Sequence, residues 1–151
     1  LRLREAGCQV DIVGEEKNHT YHGKYGVPFE SNMKFDEVDP SDYDGILVPG
    51  GWAPDRLRRF NSVLEIVRSI NDADKPVGEI CHAGWVLISA GILKGKMVTS
   101  TIGIRDDMTN AGATWIDKPS VIDGNIISAR RPPDLPEYMK DYISVLFKDE
   151  K

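Results

Sequence analysis

Cysteine is scarce in these 151 residues: only Cys8 and Cys81 occur, far apart and in different predicted elements. That pattern suggests neither a disulfide framework nor a zinc site, and it fits a reducing compartment, so a cytoplasmic location is expected. Long apolar runs are missing as well. None reaches the ~18 residues that a membrane-spanning helix needs, so no membrane partner is expected, and no signal peptide is visible. Positive charge is in deficit, with 19 Lys and Arg against 24 Asp and Glu, for a formal charge of −5 and a pI of about 5.2. No basic stripe appears, and nucleic-acid contact is not expected. Repeats, low-complexity tracts and linkers are also absent.

What is present suffices for one domain, residues 1–151, to bury a core without staples. The opening LRLREAGCQVDIVG predicts the last turns of a helix, a stop at Gly7 and a buried strand over 9–13. Residues 15–35, with Gly23 and Gly26, predict an exposed hairpin; His19 and His22 lie in it without metal-spaced partners and are read as surface histidines. A strand follows at 46–48 and ends in Pro49-Gly50-Gly51. Ser62 and Glu65 form a capping-box pattern, and Phe60, Val63, Leu64, Val67 and Ile70 trace one helical face. Further strands are predicted at 97–99 and 113–116, with a helix at 104–111 closed by Gly112. Asp106 and Asp107 are read as its first-turn caps. Val121-Ile122 and Ile126-Ile127 flank Asp123-Gly124-Asn125 as a hairpin-like pair. Asp134 and Glu137 are expected to cap a final helix whose inward stripe is Leu135, Met139, Tyr142, Ile143 and Leu146. Alternating short strands and helices predict an α/β fold with a mostly parallel sheet covered on both faces.

The stretch over 75–91, KPVGEICHAGWVLISAG, organises the rest. Val77 and Ile80 read as a buried strand, and the apolar run after Cys81 reads as a buried helix ended by Gly91. Cys81 therefore falls at a strand-to-helix corner, where the positive end of the helix dipole favours a thiolate over a thiol. The layout is that of a nucleophile elbow, with Glu79 and Ala83 in place of the two flanking glycines. A buried, inert cysteine is the competing reading. Gly50-Gly51 ends another buried strand, and in parallel sheets ligands bind beyond the carboxyl ends of strands. The two motifs thus converge at the carboxyl ends of the strands, which favours a functional Cys81.

The segments VPGGWAPD, KPVGEICHAGWVLISAG, IRDDMTNAGA and ARRPPDLP, in that order along nearly the whole chain, resemble the PfpI family of intracellular cysteine peptidases. That family belongs to the class I glutamine amidotransferase-like superfamily, which also holds the Parkinson-associated protein deglycase. The resemblance implies a flavodoxin-like three-layer sandwich with Cys81 as nucleophile, His82 beside it and an oxyanion site formed by the Gly51 and His82 backbone N–H groups. It also implies a third catalytic residue from a neighbouring subunit, which maps to Asp55, one methylene shorter than the family's glutamate. A homo-oligomer, dimer or hexamer, follows from that sharing. The family carries a further glutamate in a first strand-to-helix segment that would precede Leu1; the expectation is that these residues are an excerpt of a longer protein, lacking that strand and part of the first helix. Glu79 is either a stand-in for that acid or a strand residue with a local polar contact.

The resemblance implies a cysteine-dependent hydrolase or lyase acting on reactive carbonyl compounds or their adducts, of glyoxalase or protein deglycase type, with peptide bonds as a second substrate class. An intracellular peptidase or amidase proper is the alternative. A non-catalytic redox-sensing stress-response protein, in which Cys81 is oxidised, is the alternative of another class. No metal or organic cofactor is called for. Trp52 and Trp85 flank the motifs, as pocket wall or as core; Arg56, Arg58 and Arg59 read as solvated surface, and Thr101 as a possible lining residue.

Overall fold

The computed structural model describes residues 1–148, and the chain falls into two compact units, Leu1–Asp39 and Pro40–Lys151. In the first, helix α1 (Arg2–Glu5) leads to strand β1 (Val13–Gly14), which pairs in parallel with β4 (Met33–Lys34). The strand expected over 9–13 is thus confined to its last residue, because ladder partners exist only at Met33 and Lys34. The expected hairpin is present as β2 (Thr20–His22) antiparallel to β3 (Pro28–Glu30). It is tied back by buried Ser31, whose hydroxyl donates to the Glu16 carbonyl and accepts from the His19 N–H.

The second unit is built on a four-stranded sheet in the order β5 (Ile46–Val48), β6 (Val77–Ile80), β10 (Ile126–Ala129), β9 (Ser120–Asp123). β6 runs parallel to both β5 and β10, and only the β9–β10 hairpin is antiparallel. A separate parallel pair joins β7 (Met97–Val98) to β8 (Thr114–Trp115). Helices α2 (Ala53–Leu57), α3 (Asn61–Asp72), α4 (Gly84–Ala90), α5 (Arg105–Asn110) and α6 (Leu135–Leu146) complete it. α3 packs on α4 and β6, and α6 on β9 and β10.

The apolar spacing in α3 does what a 3.6-residue period requires: Val63, Leu64, Val67 and Ile70 are all buried. Its predicted capping box is not formed. The helix begins at Asn61 with Phe60 in the cap position, so Ser62 already lies in the first turn. In α6 the buried residues are Tyr138, Met139 and Tyr142, whereas Leu135 is exposed. The face is turned toward Gly78 of β6: a methyl group there would meet the Tyr138 hydroxyl at 2.5 Å, so the missing side chain is the seat for the tyrosine. Asp134 does not cap α6 either; its carboxylate takes two hydrogen bonds from Arg130, at 3.0 and 3.1 Å. No helix among the described residues is long and apolar enough to cross a membrane.

Candidate active site

β6 is bonded on both sides, so its end is a fixed point from which the chain must turn. The turn is made at Cys81, with φ at +66°, a left-handed conformation that costs a non-glycine residue energy and persists only where its surroundings enforce it. The enforcement is visible. The Cys81 N–H donates to the Ala129 carbonyl of β10 at 2.9 Å, and its carbonyl accepts from the Thr101 N–H at 3.2 Å. Gly50 packs against the same corner: a methyl group on it would sit 2.7 Å from the Ile80 carbonyl oxygen and 2.8 Å from the Cys81 Cβ. The glycine pair after β5 and the cysteine after β6 therefore meet, as their positions at adjacent strand ends require.

His82 is brought to the sulfur directly, with Nδ1 3.3 Å from Sγ. Neighbours on an extended strand point apart, but the left-handed bend at Cys81 lets the two side chains converge. The imidazole sits among indoles. It stacks on Trp52 at 5.3 Å between centroids with 29° between planes, and packs against Trp85 at 5.1 Å. Trp85 is held in turn by its indole N–H, which donates to Asp107 at 2.8 Å. Trp52, by contrast, is 74% exposed and is not a core residue. The backbone N–H groups of Gly51 and His82 donate to no backbone acceptor among the described residues.

Asp55 lies in α2 near this aromatic group, and its carboxylate is engaged by Arg59 at 2.5 Å. It makes no hydrogen bond or ion pair with His82 within one chain. Arg58 and Arg59 are not simply solvated. Arg58 lies over the Trp85 ring at 5.8 Å and donates to Ser89 at 2.9 Å, while Arg59 also donates to the Asp55 carbonyl at 3.0 Å. Of the expected first-turn caps of α5, Asp106 pairs with Arg105 at 2.9 Å and Asp107 serves Trp85. No cluster of three or more His, Cys, Asp or Glu side chains able to hold a metal occurs among the described residues.

Glu79 is the residue whose environment the sequence reading missed. It is fully buried, neither carboxyl oxygen has a partner at full hydrogen-bond geometry, and the polar group acting on it locally is the Gly84 N–H. Burial pushes its carboxyl well above the ordinary carboxylate range, and the nearby Gly84 N–H pulls the other way without prevailing. Buried Tyr138 is pushed up as well, first by burial and then by Glu79 and Tyr142. An acidic residue in the centre of a fully paired strand was the available signal, since such residues are seldom interior unless paired.

The sequence profile of the DJ-1/PfpI family matches residues 1–145. The deglycase PfpI of Pyrococcus furiosus is 46% identical over 145 residues, covering 96% of this chain and 87% of its own. Among solved structures, a two-domain protein of Anabaena variabilis with DJ-1/ThiJ/PfpI-like and ferritin-like domains superposes with a TM-score of 0.93 at 36% identity, over 96% of this chain and 42% of that one. DJ-1beta of Drosophila melanogaster does so with a TM-score of 0.88 at 26% identity, over 99% and 81%. The mixed α/β architecture with its parallel sheet is that of these neighbours, consistent with a flavodoxin-like sandwich.

Proposed function

Since the chain belongs to the DJ-1/PfpI family, we propose that it is a cysteine-dependent enzyme acting on reactive carbonyl compounds or their adducts. The observation that carries this reading is the left-handed Cys81 with its sulfur 3.3 Å from His82 Nδ1. A strained nucleophile whose sulfur shares a proton with an imidazole is ready to add to an electrophilic carbon. The Cys81 sulfur bonds to the carbonyl carbon, the π pair moves onto oxygen, and the Gly51 and His82 N–H groups stabilise that oxyanion. Delivery of the shared proton by His82 then yields a hemithioacetal.

With an amide, the same tetrahedral species must expel an amine protonated by His82, and water must afterwards hydrolyse the thioester. That sequence demands a more closely controlled imidazole. No amine leaving group has to be protonated on the aldehyde route, which favours that chemistry over peptide cleavage. The name deglycase carried by the Pyrococcus relative supports the same choice. The acid completing the site is Asp55 of a second subunit, so the active form is a homo-oligomer.

Three substrates test the reading: methylglyoxal, methylglyoxal-treated N-acetylated amino acids, and fluorogenic peptides, each with wild type and Cys81→Ser. Turnover of the carbonyl compounds is expected, with loss of about a thousand-fold or more in the variant. Turnover that survives in Cys81→Ser, or no turnover of any of the three by wild type, would overturn it.

A further inference from the structure

A trans peptide is planar, and its C=O and N–H point in opposite directions. The Cys81 carbonyl and the His82 N–H belong to one such unit, so whatever holds that carbonyl also aims the N–H that the proposed reaction gives to the oxyanion. The holder is the Thr101 N–H, at 3.2 Å. Thr101 is not part of the four-stranded sheet that carries the elbow. It follows β7, whose partner is β8.

Resting on that reading of Cys81 and His82, we propose that Ser100 and Trp115 are positioning residues, which act through Thr101 to orient the His82 N–H toward the oxyanion. The Trp115 indole N–H donates to Ser100 Oγ at 3.0 Å, and the Ser100 hydroxyl donates to the Thr101 carbonyl at 2.9 Å. An indole N–H can only donate. By occupying the Ser100 oxygen it turns the hydroxyl proton away from itself and toward the Thr101 carbonyl, so the tryptophan sets the direction of the relay.

Two further bonds pin the same segment. The Thr99 N–H donates to Ser128 Oγ of β10 at 2.9 Å, and the Ile104 N–H donates to the Thr101 carbonyl at 3.2 Å. Thr99, Ser100 and Ser128 are fully buried, so water does not compete for these groups and each bond is stronger than it would be at the surface.

The relay leaves the sulfur alone. The Cys81 N–H is held by Ala129 and its Cβ lies against Gly50, and neither contact involves Ser100 or Trp115. Loosening Thr101 therefore lets the 81–82 peptide tilt while the sulfur keeps its place. Two reactions of one thiol tell these apart: alkylation by iodoacetamide displaces iodide from a saturated carbon and develops no oxyanion, whereas addition to a carbonyl does.

Wild type, Ser100→Ala, Trp115→Phe and the double variant are compared by methylglyoxal turnover and by the rate of Cys81 alkylation. Ser100→Ala is expected to lower kcat by about ten- to a hundred-fold, less than loss of a whole oxyanion donor, with KM and the alkylation rate within about two-fold of wild type. Trp115→Phe keeps the ring, loses the N–H and should change kcat in the same direction. The double variant should be no worse than Ser100→Ala, because two members of one relay are not additive. Should Ser100→Ala not fold, Trp115→Phe carries the same comparison. Equal losses in turnover and alkylation, unchanged kcat in both single variants, or a double variant whose loss is the product of the two single losses would overturn the proposal.

A second readout needs no turnover. Amide hydrogen exchange at Thr101 is followed in the same proteins against that at Val77, whose N–H donates to the Asn125 carbonyl at 2.8 Å in the paired sheet. Exchange at Thr101 is expected to speed up about ten-fold or more relative to Val77 in Ser100→Ala. That result supports the relay even where no carbonyl compound is turned over, and so tells a failure of the enzyme reading from a failure of the relay. Exchange at Thr101 that keeps pace with Val77 overturns it.

Discussion

The sulfur and the aromatic side of this site are built by different means. Cys81 is held by peptide groups: hydrogen bonds to Ala129 and Thr101 and the backbone of Gly50 against its Cβ fix it with almost no help from side chains. Trp52 and Asp55 belong to the beginning of a five-residue helix, and what fixes them is side-chain contact at the surface, an imidazole for one and Arg59 for the other. The position of the Cys81 sulfur is thus a property of the sheet, whereas the side chains beside it are held only by surface contacts that can be exchanged at small cost. Chemistry and selectivity are separable in such an arrangement, and changes on the two sides should differ in size and kind.

The largest effect is expected on the sulfur side. Gly50→Ala drives a methyl group into the Ile80 carbonyl and the Cys81 Cβ, which the paired strands cannot easily yield to. A loss of stability of about 1–3 kcal/mol should accompany a fall in kcat/KM of about a hundred-fold or more as the sulfur moves off its line to the carbonyl. Chemical denaturation and steady-state kinetics on the same preparation check both. Near-normal kinetics would show that the corner is not held by close approach of the two backbones.

On the surface side, Asp55→Asn should cost about ten- to a hundred-fold in kcat while leaving the denaturation midpoint nearly unchanged. If the acid acts across a subunit boundary, mixing Asp55→Asn subunits with Cys81→Ser subunits regenerates sites that carry both native groups. Recovered activity in the mixture is the expected outcome, and a mixture as inactive as its components would place the acid in the same chain or nowhere.

Glu79 lies two residues before Cys81, and its expected effect is on stability alone. Burial raises its folded value above that of the unfolded chain, ordinarily about 4.5, so the folded state holds the proton more tightly. The stability linked to that proton is complete below pH 4.5 and is lost as pH rises from there toward the folded value, at up to about 1.4 kcal/mol per pH unit. Glu79→Gln, which cannot ionise, should match wild type near pH 4 and exceed it increasingly toward neutral pH in urea titrations. Parallel curves for the two proteins would contradict the neutral, buried carboxyl. The smallest effect belongs to Arg68, which donates to the Ala90 carbonyl at the end of α4 at 2.9 Å; Arg68→Ala should cost about 1 kcal/mol without changing KM.

Much of this was legible because it is encoded locally. The β6 strand, the elbow and α4 follow from a short apolar run, a cysteine and a second apolar run closed by Gly91, whose φ of +75° is the left-handed cap that the glycine suggested. The meeting of Gly50 with Cys81 followed from topology, since adjacent parallel strands end side by side. What escaped depended on neighbours distant in sequence. The capping roles assigned to Ser62 and Asp134 failed because one lies inside its helix and the other is held by Arg130. Leu135 is exposed rather than inward in α6, and no pattern within that helix reveals the space above Gly78 that turns Tyr138 to the core. The orphaned carboxyl of Glu79 and the open indole of Trp52 are likewise facts about surroundings, and a single strand or loop does not display them.

The most direct test of Cys81 as the reactive sulfur is to compare it with the other cysteine in the same molecule. Treatment with substoichiometric iodoacetamide at neutral pH, followed by peptide mass spectrometry and activity measurement at each time point, sets Cys81 against Cys8, both of which are half-buried free thiols. Cys81 is expected to be alkylated about ten-fold faster or more, with activity lost in proportion to its modification. Alkylation of Cys8 first, or full activity after Cys81 has been modified, would contradict it.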